Sequence, residues 1–106
     1  MKTIDLNSAE RREILPGLEA RFVHSENMSI AYWNIKKGCE LPAHSHFHEQ
    51  ITHVIEGEFE LEIEGEKRIL TPGQVAIIPS TAMHSGIALT ECIVIDTFYP
   101  KREDYV

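Results

Sequence analysis

Positive charge is scarce in this chain. Ten Lys and Arg stand against 17 Asp and Glu, for a net charge of -7. A polyanion would be repelled, which argues against nucleic acid or an anionic membrane surface as a partner. Long apolar runs are missing too, and none approaches the roughly 20 residues of a membrane-spanning helix. The opening MKTIDLNSAERREIL holds no apolar core of the kind a secretory signal carries. Cysteine is limited to Cys39 and Cys92, far apart in sequence. They are expected as buried small hydrophobes in a reducing cytoplasm rather than as a disulfide or metal ligands. No segment sustains a long helical period, and no internal repeat is visible. At 106 residues, 42% hydrophobic and 25% charged, the chain has the size and composition of one globular domain, residues 1–106.

What the chain has instead is short strands. Residues 1–10 read as a polar arm, with a helical turn around Ser8–Arg12 capped by Ser8. Pro16-Gly17 marks a turn. Leu18–His24 and Met28–Lys36 read as a strand pair, joined at Ser25-Glu26-Asn27. The run from Glu58 to Glu64 alternates without a break: Phe59, Leu61 and Ile63 toward a core, four glutamates toward water. Glu56-Gly57-Glu58 and Glu64-Gly65-Glu66 flank it as hairpin turns. Lys67–Thr71 follows. The continuous apolar run Val75–Ile78 is expected to be buried on both faces. Met83–Leu89 and Glu91–Phe98 complete nine or ten strands, the pattern of an all-β barrel or sandwich. Apolar residues on both parities of the last strand (Ile93 and Ile95 against Val94 and Phe98) agree with an extra buried face, as a homodimer would have.

The stretch Gly38–Gly57 holds four of the six histidines, at 44, 46, 48 and 53. On one regular strand His44, His46 and His48 would share a face. Unpartnered imidazoles are costly to bury, and imidazole is the commonest protein metal ligand. With His84 from a later strand, His44 and His46 form the core of a metal site whose fourth ligand is Gln50 or His48. His24 and His53 are expected to be structural or exposed.

These residues resemble the two sequence motifs of the cupins. The first reads here as Gly38, five residues, His44-Ser-His46, three residues, Gln50, six residues, Gly57. The second reads as Gly73, five residues, Pro79-Ser-Thr81, two residues, His84, three residues, Ala88. The resemblance implies a double-stranded β-helix, the jelly-roll barrel. Gln50 stands where the family usually has Glu, Thr81 where it has Gly, and Ala88 where it has Asn. Three neutral imidazoles and an amide leave a divalent charge uncompensated, so the site should favour an anion or a developing enolate. A mixed nitrogen and oxygen set suits Ni, Mn, Fe, Zn or Co without choosing among them.

On the last strand Asp96 shares parity with Cys92, Val94 and Phe98, so its carboxyl should point inward. A buried Asp can act as general acid or base. Arg102 follows, suited to gripping a carboxylate at two points. The plain reading of this pair is a structural Asp96–Arg102 ion pair or two surface charges. The combined pattern, with Phe98 and the tail Asp104-Tyr105, resembles the KdgF-type cupins of pectin and alginate catabolism. That resemblance implies metal held by His44, His46, Gln50 and His84, with Asp96, Phe98 and Arg102 around a small anionic sugar. His48 would stand beside the ligands as a relay. The implied activity opens 4,5-unsaturated uronate monosaccharides to the linear 4-deoxy-5-keto form. A different metal cupin enzyme, oxygenase or lyase, and a non-catalytic ligand-binding cupin are the competing readings.

Overall fold

The computed structural model describes residues 1–106. Ten strands follow in order: β1 (Arg12–Leu15), β2 (Leu18–His24), β3 (Ser29–Ile35), β4 (Glu40–His44), β5 (Glu49–Glu56), β6 (Phe59–Ile63), β7 (Glu66–Leu70), β8 (Val75–Ile78), β9 (His84–Ala88) and β10 (Cys92–Tyr99). They make two antiparallel sheets, one of six strands in the order β1-β2-β3-β10-β5-β8 and one of four in the order β4-β9-β6-β7. The arrangement is the expected jelly-roll barrel. Single 3-10 turns lie near each end, at Leu6–Ser8 and Glu103–Tyr105. No helix is long and apolar enough to cross a membrane.

The alternating patterns become the walls. Phe59 and Leu61 on β6 are buried, while Glu58 and Glu64 are exposed and Glu60 lies within 3.9 Å of Lys67 across the hairpin. The β6–β7 turn places Glu64 and Gly65 at φ +47° and +83°, the geometry of a tight two-residue hairpin loop. The core also takes Leu18, Trp33 and Ile35 from β2 and β3, Val54 from β5, Ile78 from β8 and Val94 from β10. Cys92 is buried and Cys39 half-buried, both as free thiols.

Several expectations are corrected. The first helical turn is Leu6–Ser8, capped by Asp5, whose side chain accepts from the Asn7 N–H; Arg12 already belongs to β1. The tight turn at Gly57 does not close a hairpin. It carries the chain from one sheet to the other, since β5 pairs with β10 and β8 while β6 pairs with β7 and β9. Gly57 has φ +84°, and a Cβ there would strike the Glu91 carbonyl oxygen, so the position requires glycine. Val75–Ile78 is not buried on both faces. As an edge strand it buries Ile78 completely and leaves Val75 and Ile77 exposed on the outside of the six-stranded sheet.

Candidate functional site

Gly38–Gly57 is not one strand. β4 ends at His44, β5 begins at Glu49, and they belong to different sheets. The intervening loop carries His46 and His48 across the mouth of the barrel. A second turn pins that loop. The Thr81 N–H donates to the His46 carbonyl at 2.8 Å, and the Ser80 hydroxyl donates to the Phe47 carbonyl at 2.5 Å. Thr81 holds φ +67°, an uncommon conformation for a β-branched residue, so this departure from glycine costs backbone strain beside the site.

His44 and His84 face each other as register partners of β4 and β9. One ring nitrogen from each of His44, His46 and His84 lies within 4.8 Å of the others. Each ring is oriented by a main-chain oxygen. His44 Nδ1 lies 2.8 Å from the Pro42 carbonyl, His46 Nδ1 3.0 Å from that of His48, and His84 Nδ1 2.9 Å from that of Ala82. A carbonyl only accepts, so each Nδ1 carries the proton and each Nε2 keeps its lone pair. Three lone pairs therefore point into one space. His84 Nε2 is buried and has no hydrogen-bond partner.

Gln50 completes the arrangement. Its Nε2 donates to Thr52 Oγ1 at 3.0 Å, which turns Oε1 toward His46 Nε2, also at 3.0 Å. With His46 neutral, as its lowered pKa favours, these are two acceptors, which repel at that distance unless a cation lies between or beside them. The orphaned His84 nitrogen, the same tautomer in all three rings and this acceptor pair fit a bound divalent metal ion. When bound, such an ion polarises substrate oxygens and stabilises negative charge developing on them. Burial pushes His84 and His46 below the ordinary imidazole range; Arg102 adds to the effect at His46 and His44 at His84. Both are thereby kept neutral, as ligation requires.

Beneath the histidines is a cavity of about 210 Å³, lined among others by His44, Gln50, Thr52, His84, Asp96, Phe98 and Arg102. It is smaller than the roughly 300–1,000 Å³ of pockets for drug-sized molecules, so it suits one small ligand. Asp96 points inward, as its parity predicts, and is 7% exposed. Its Oδ1 accepts from Thr52 at 2.7 Å and its Oδ2 from Trp33 Nε1–H at 3.0 Å. Burial raises its pKa above the usual carboxylate range, and the Thr52 hydrogen bond opposes this.

Arg102 is buried but does not pair with Asp96. Its Nε and Nη2 bind Asp104 at 2.9 and 2.7 Å, its backbone N–H donates to Ser29 Oγ at 2.8 Å, and its guanidinium lies over Phe98 and Tyr105. Burial pulls the Arg102 pKa down, yet the Asp104 contact outweighs it and leaves a net rise. His48 is buried against Phe98 and Phe47, its Nδ1 without a partner, and stands outside the trio of converging nitrogens. His53 and His24 lie away from the cavity; His24 Nδ1 hydrogen-bonds Ser29 at 2.7 Å.

Residues 31–98 match the family model described as the cupin domain. The chain is a cupin. It is 36% identical over 97 residues to the pectin degradation protein KdgF of Dickeya dadantii, covering 89% of this chain and 88% of that protein. The structure of KdgF from Halomonas sp. superposes with a TM-score of 0.94 at 31% identity, covering 100% of this cupin and 99% of that chain. A further relative, the H2HPP isomerase of Bacillus subtilis, is 33% identical over 100 residues, and this cupin spans only 42% of its length.

Three further residues line the cupin's cavity: Trp33, Thr52 and Tyr105. Strand parity carried a signal for two of them. Thr52 alternates with Gln50 and Val54, and Trp33 with Ala31 and Ile35, all inward. Tyr105 had none. It reaches the cavity because the tail folds back, stacking on Phe22 while its carbonyl accepts from Arg12 Nη1 at 2.6 Å.

Proposed function

We propose that this cupin is a metal-dependent enzyme of pectin and alginate breakdown that opens 4,5-unsaturated uronate monosaccharides to the linear 4-deoxy-5-keto form. The observation that carries the reading is the inward Asp96 carboxyl beside three convergent imidazole nitrogens and a neutral Gln50. Likeness to two KdgF proteins supports the substrate class. The proposed ligands are His44, His46, Gln50 and His84, holding one divalent transition ion whose charge they do not neutralise. Such a centre attracts a uronate.

The chemistry is an isomerisation. A proton leaves the C1 hydroxyl, the C1–O bond of the ring opens to an aldehyde with its electron pair left on the ring oxygen as a C5 enolate, and that enolate takes a proton at C4 to become the ketone. Proton count and oxidation state balance without a further reactant. Asp96, with its raised pKa, moves the proton between hydroxyl and carbon. Arg102 offers Nη1, the guanidinium nitrogen not bound to Asp104, to the substrate carboxylate. Phe98 forms a wall behind the ring, and the guanidinium stacked 4.7 Å from its centroid keeps it in place. His48, beside Phe98 and held below the usual imidazole range by burial and by Arg102, serves as a neutral neighbour to this proton path. That the Bacillus subtilis relative is called an isomerase agrees with a reaction without redox change.

The test is to add metal-loaded protein to unsaturated galacturonate and follow the ultraviolet band of its conjugated enol carboxylate. Accelerated loss of the band is expected. An unchanged rate, with uptake of oxygen on another organic acid, would favour an oxygenase instead.

The outer face of the six-stranded sheet suits a second copy of the chain. Across the strands run Ile30, Thr97, Ile51 and Ile77 in register, with Val75 beside them. Ile51, Val75 and Ile77 are 43%, 52% and 66% exposed. A homodimer through this face predicts twice the chain mass by light scattering. Free thiols at Cys39 and Cys92 suit the reducing cytoplasm in which such a sugar acid would be used.

A further inference from the structure

Thr52 is 2% exposed and has a polar side chain on the inner face of β5, where a valine would pack equally well. Its register partner on β10 is Asp96. The hydroxyl has a single proton, and it is directed to Asp96 Oδ1 at 2.7 Å. Its lone pairs then accept from Gln50 Nε2 at 3.0 Å. The two ends of an amide are nearly the same shape, so sterics alone do not choose which faces the histidines. With nitrogen inward, Gln50 would donate to His46 Nε2 and present N–H groups to a cation. With oxygen inward, it presents a lone pair.

The geometry points to Thr52 as the positioning residue that locks the Gln50 amide with its oxygen toward His46 and the metal. In its ionised form Asp96, accepting the hydroxyl proton, fixes the direction of the chain of hydrogen bonds. Thr52 can then only accept from Gln50, and the amide can only turn its N–H outward. The same logic explains the amide at position 50. A glutamate there would offer Thr52 no donor and would place two carboxylates on one hydroxyl.

This role rests on the metal reading above. The test uses the full chain and Zn²⁺, titrated against a chromophoric chelator, with thermal unfolding of each metal-free variant as a control. Thr52→Val should bind zinc about 10–100-fold more weakly than wild type, the usual effect of losing a hydrogen bond that orients a ligand. Thr52→Ser, which keeps the hydroxyl, should bind close to wild type. Equal affinity in Thr52→Val, or equal weakness in both variants, overturns the role. If wild type takes up no zinc, the metal reading fails; if wild type binds and Thr52→Val is unchanged, only the role of Thr52 fails. Should Thr52→Val not fold, the zinc-bound wild type decides by NMR. Cross-peaks from the Gln50 side-chain NH₂ to Thr52 support the lock, and cross-peaks to the His46 ring overturn it.

Discussion

On β10 the inward side chains change character along a single strand: Cys92 and Val94 are apolar, then Asp96 carries a carboxyl, with the Phe98 ring beyond it as a wall of the cavity. β5 shows the same change in the opposite chain direction, from Gln50 and Thr52 to Val54. The two ends of one barrel interior are thus walled by the same strands and filled by opposite chemistry. At the Val54 end, burial is favourable without any partner, at about 25 cal/mol per Å² of apolar surface. At the Asp96 end every buried polar group costs free energy unless it is paired, about 1–3 kcal/mol for each group left unsatisfied. Asp96, Thr52 and Gln50 satisfy one another, and His84 Nε2 stays unpaired. A fold would not gain from that arrangement by itself, whereas a cation at the convergence of the lone pairs would repay it.

This contrast can be broken at either end. The largest effect is expected from His84→Ala, which should lose stoichiometric metal by elemental analysis while the apolar end keeps the chain folded; retained metal would remove His84 from the site. Next comes Asp96→Asn. It should keep its metal yet lose about 100- to 10,000-fold in turnover, the range for removing a general acid or base; a wild-type rate would assign the proton transfer elsewhere. At the opposite end, Leu70→Ala should cost about 2–5 kcal/mol of unfolding free energy, measured in urea, and leave metal affinity unchanged. A loss of metal in that variant would mean that the two ends are not separable.

The smallest effect is the pH dependence of the metal-free protein. Burial holds His46, His48 and His84 below their unfolded value of about 6.5. Their neutral forms are favoured in the fold, so their contribution is complete above about pH 6.5 and is lost as pH falls through the lower folded values. Asp96, raised by burial, has the opposite slope. An Asp96→Asn background therefore isolates the histidines, and its thermal midpoint should fall between about pH 7.5 and 5.5. A flat profile would show that these rings titrate as they do in the unfolded chain.

Much of this division was legible in the sequence. Parity on the last strand puts Asp96 with Val94 and Phe98, and the cupin motifs group His44, His46, Gln50 and His84. What misled was the assumption of one regular strand through the histidines. The loop between β4 and β5 breaks parity, so His48 departs from the face of His44. Val75–Ile78 misled for a related reason: an apolar run does not reveal whether its strand is central or at an edge, and Val75 and Ile77 face outward. The Arg102–Asp104 pairing and the return of Tyr105 over the mouth depend on how the tail folds across β2 and β3, which no local pattern encodes.

The central claim is that one divalent ion is held by neutral donors at the polar end of the barrel. X-ray absorption spectroscopy of the zinc-loaded protein tests it most directly. One zinc per chain, with three imidazole nitrogens and oxygen at about 2.0–2.2 Å and no sulfur, is the predicted spectrum. A shell at about 2.3 Å would place Cys39 or Cys92 on the metal, and fewer than three imidazoles would contradict the convergence of His44, His46 and His84.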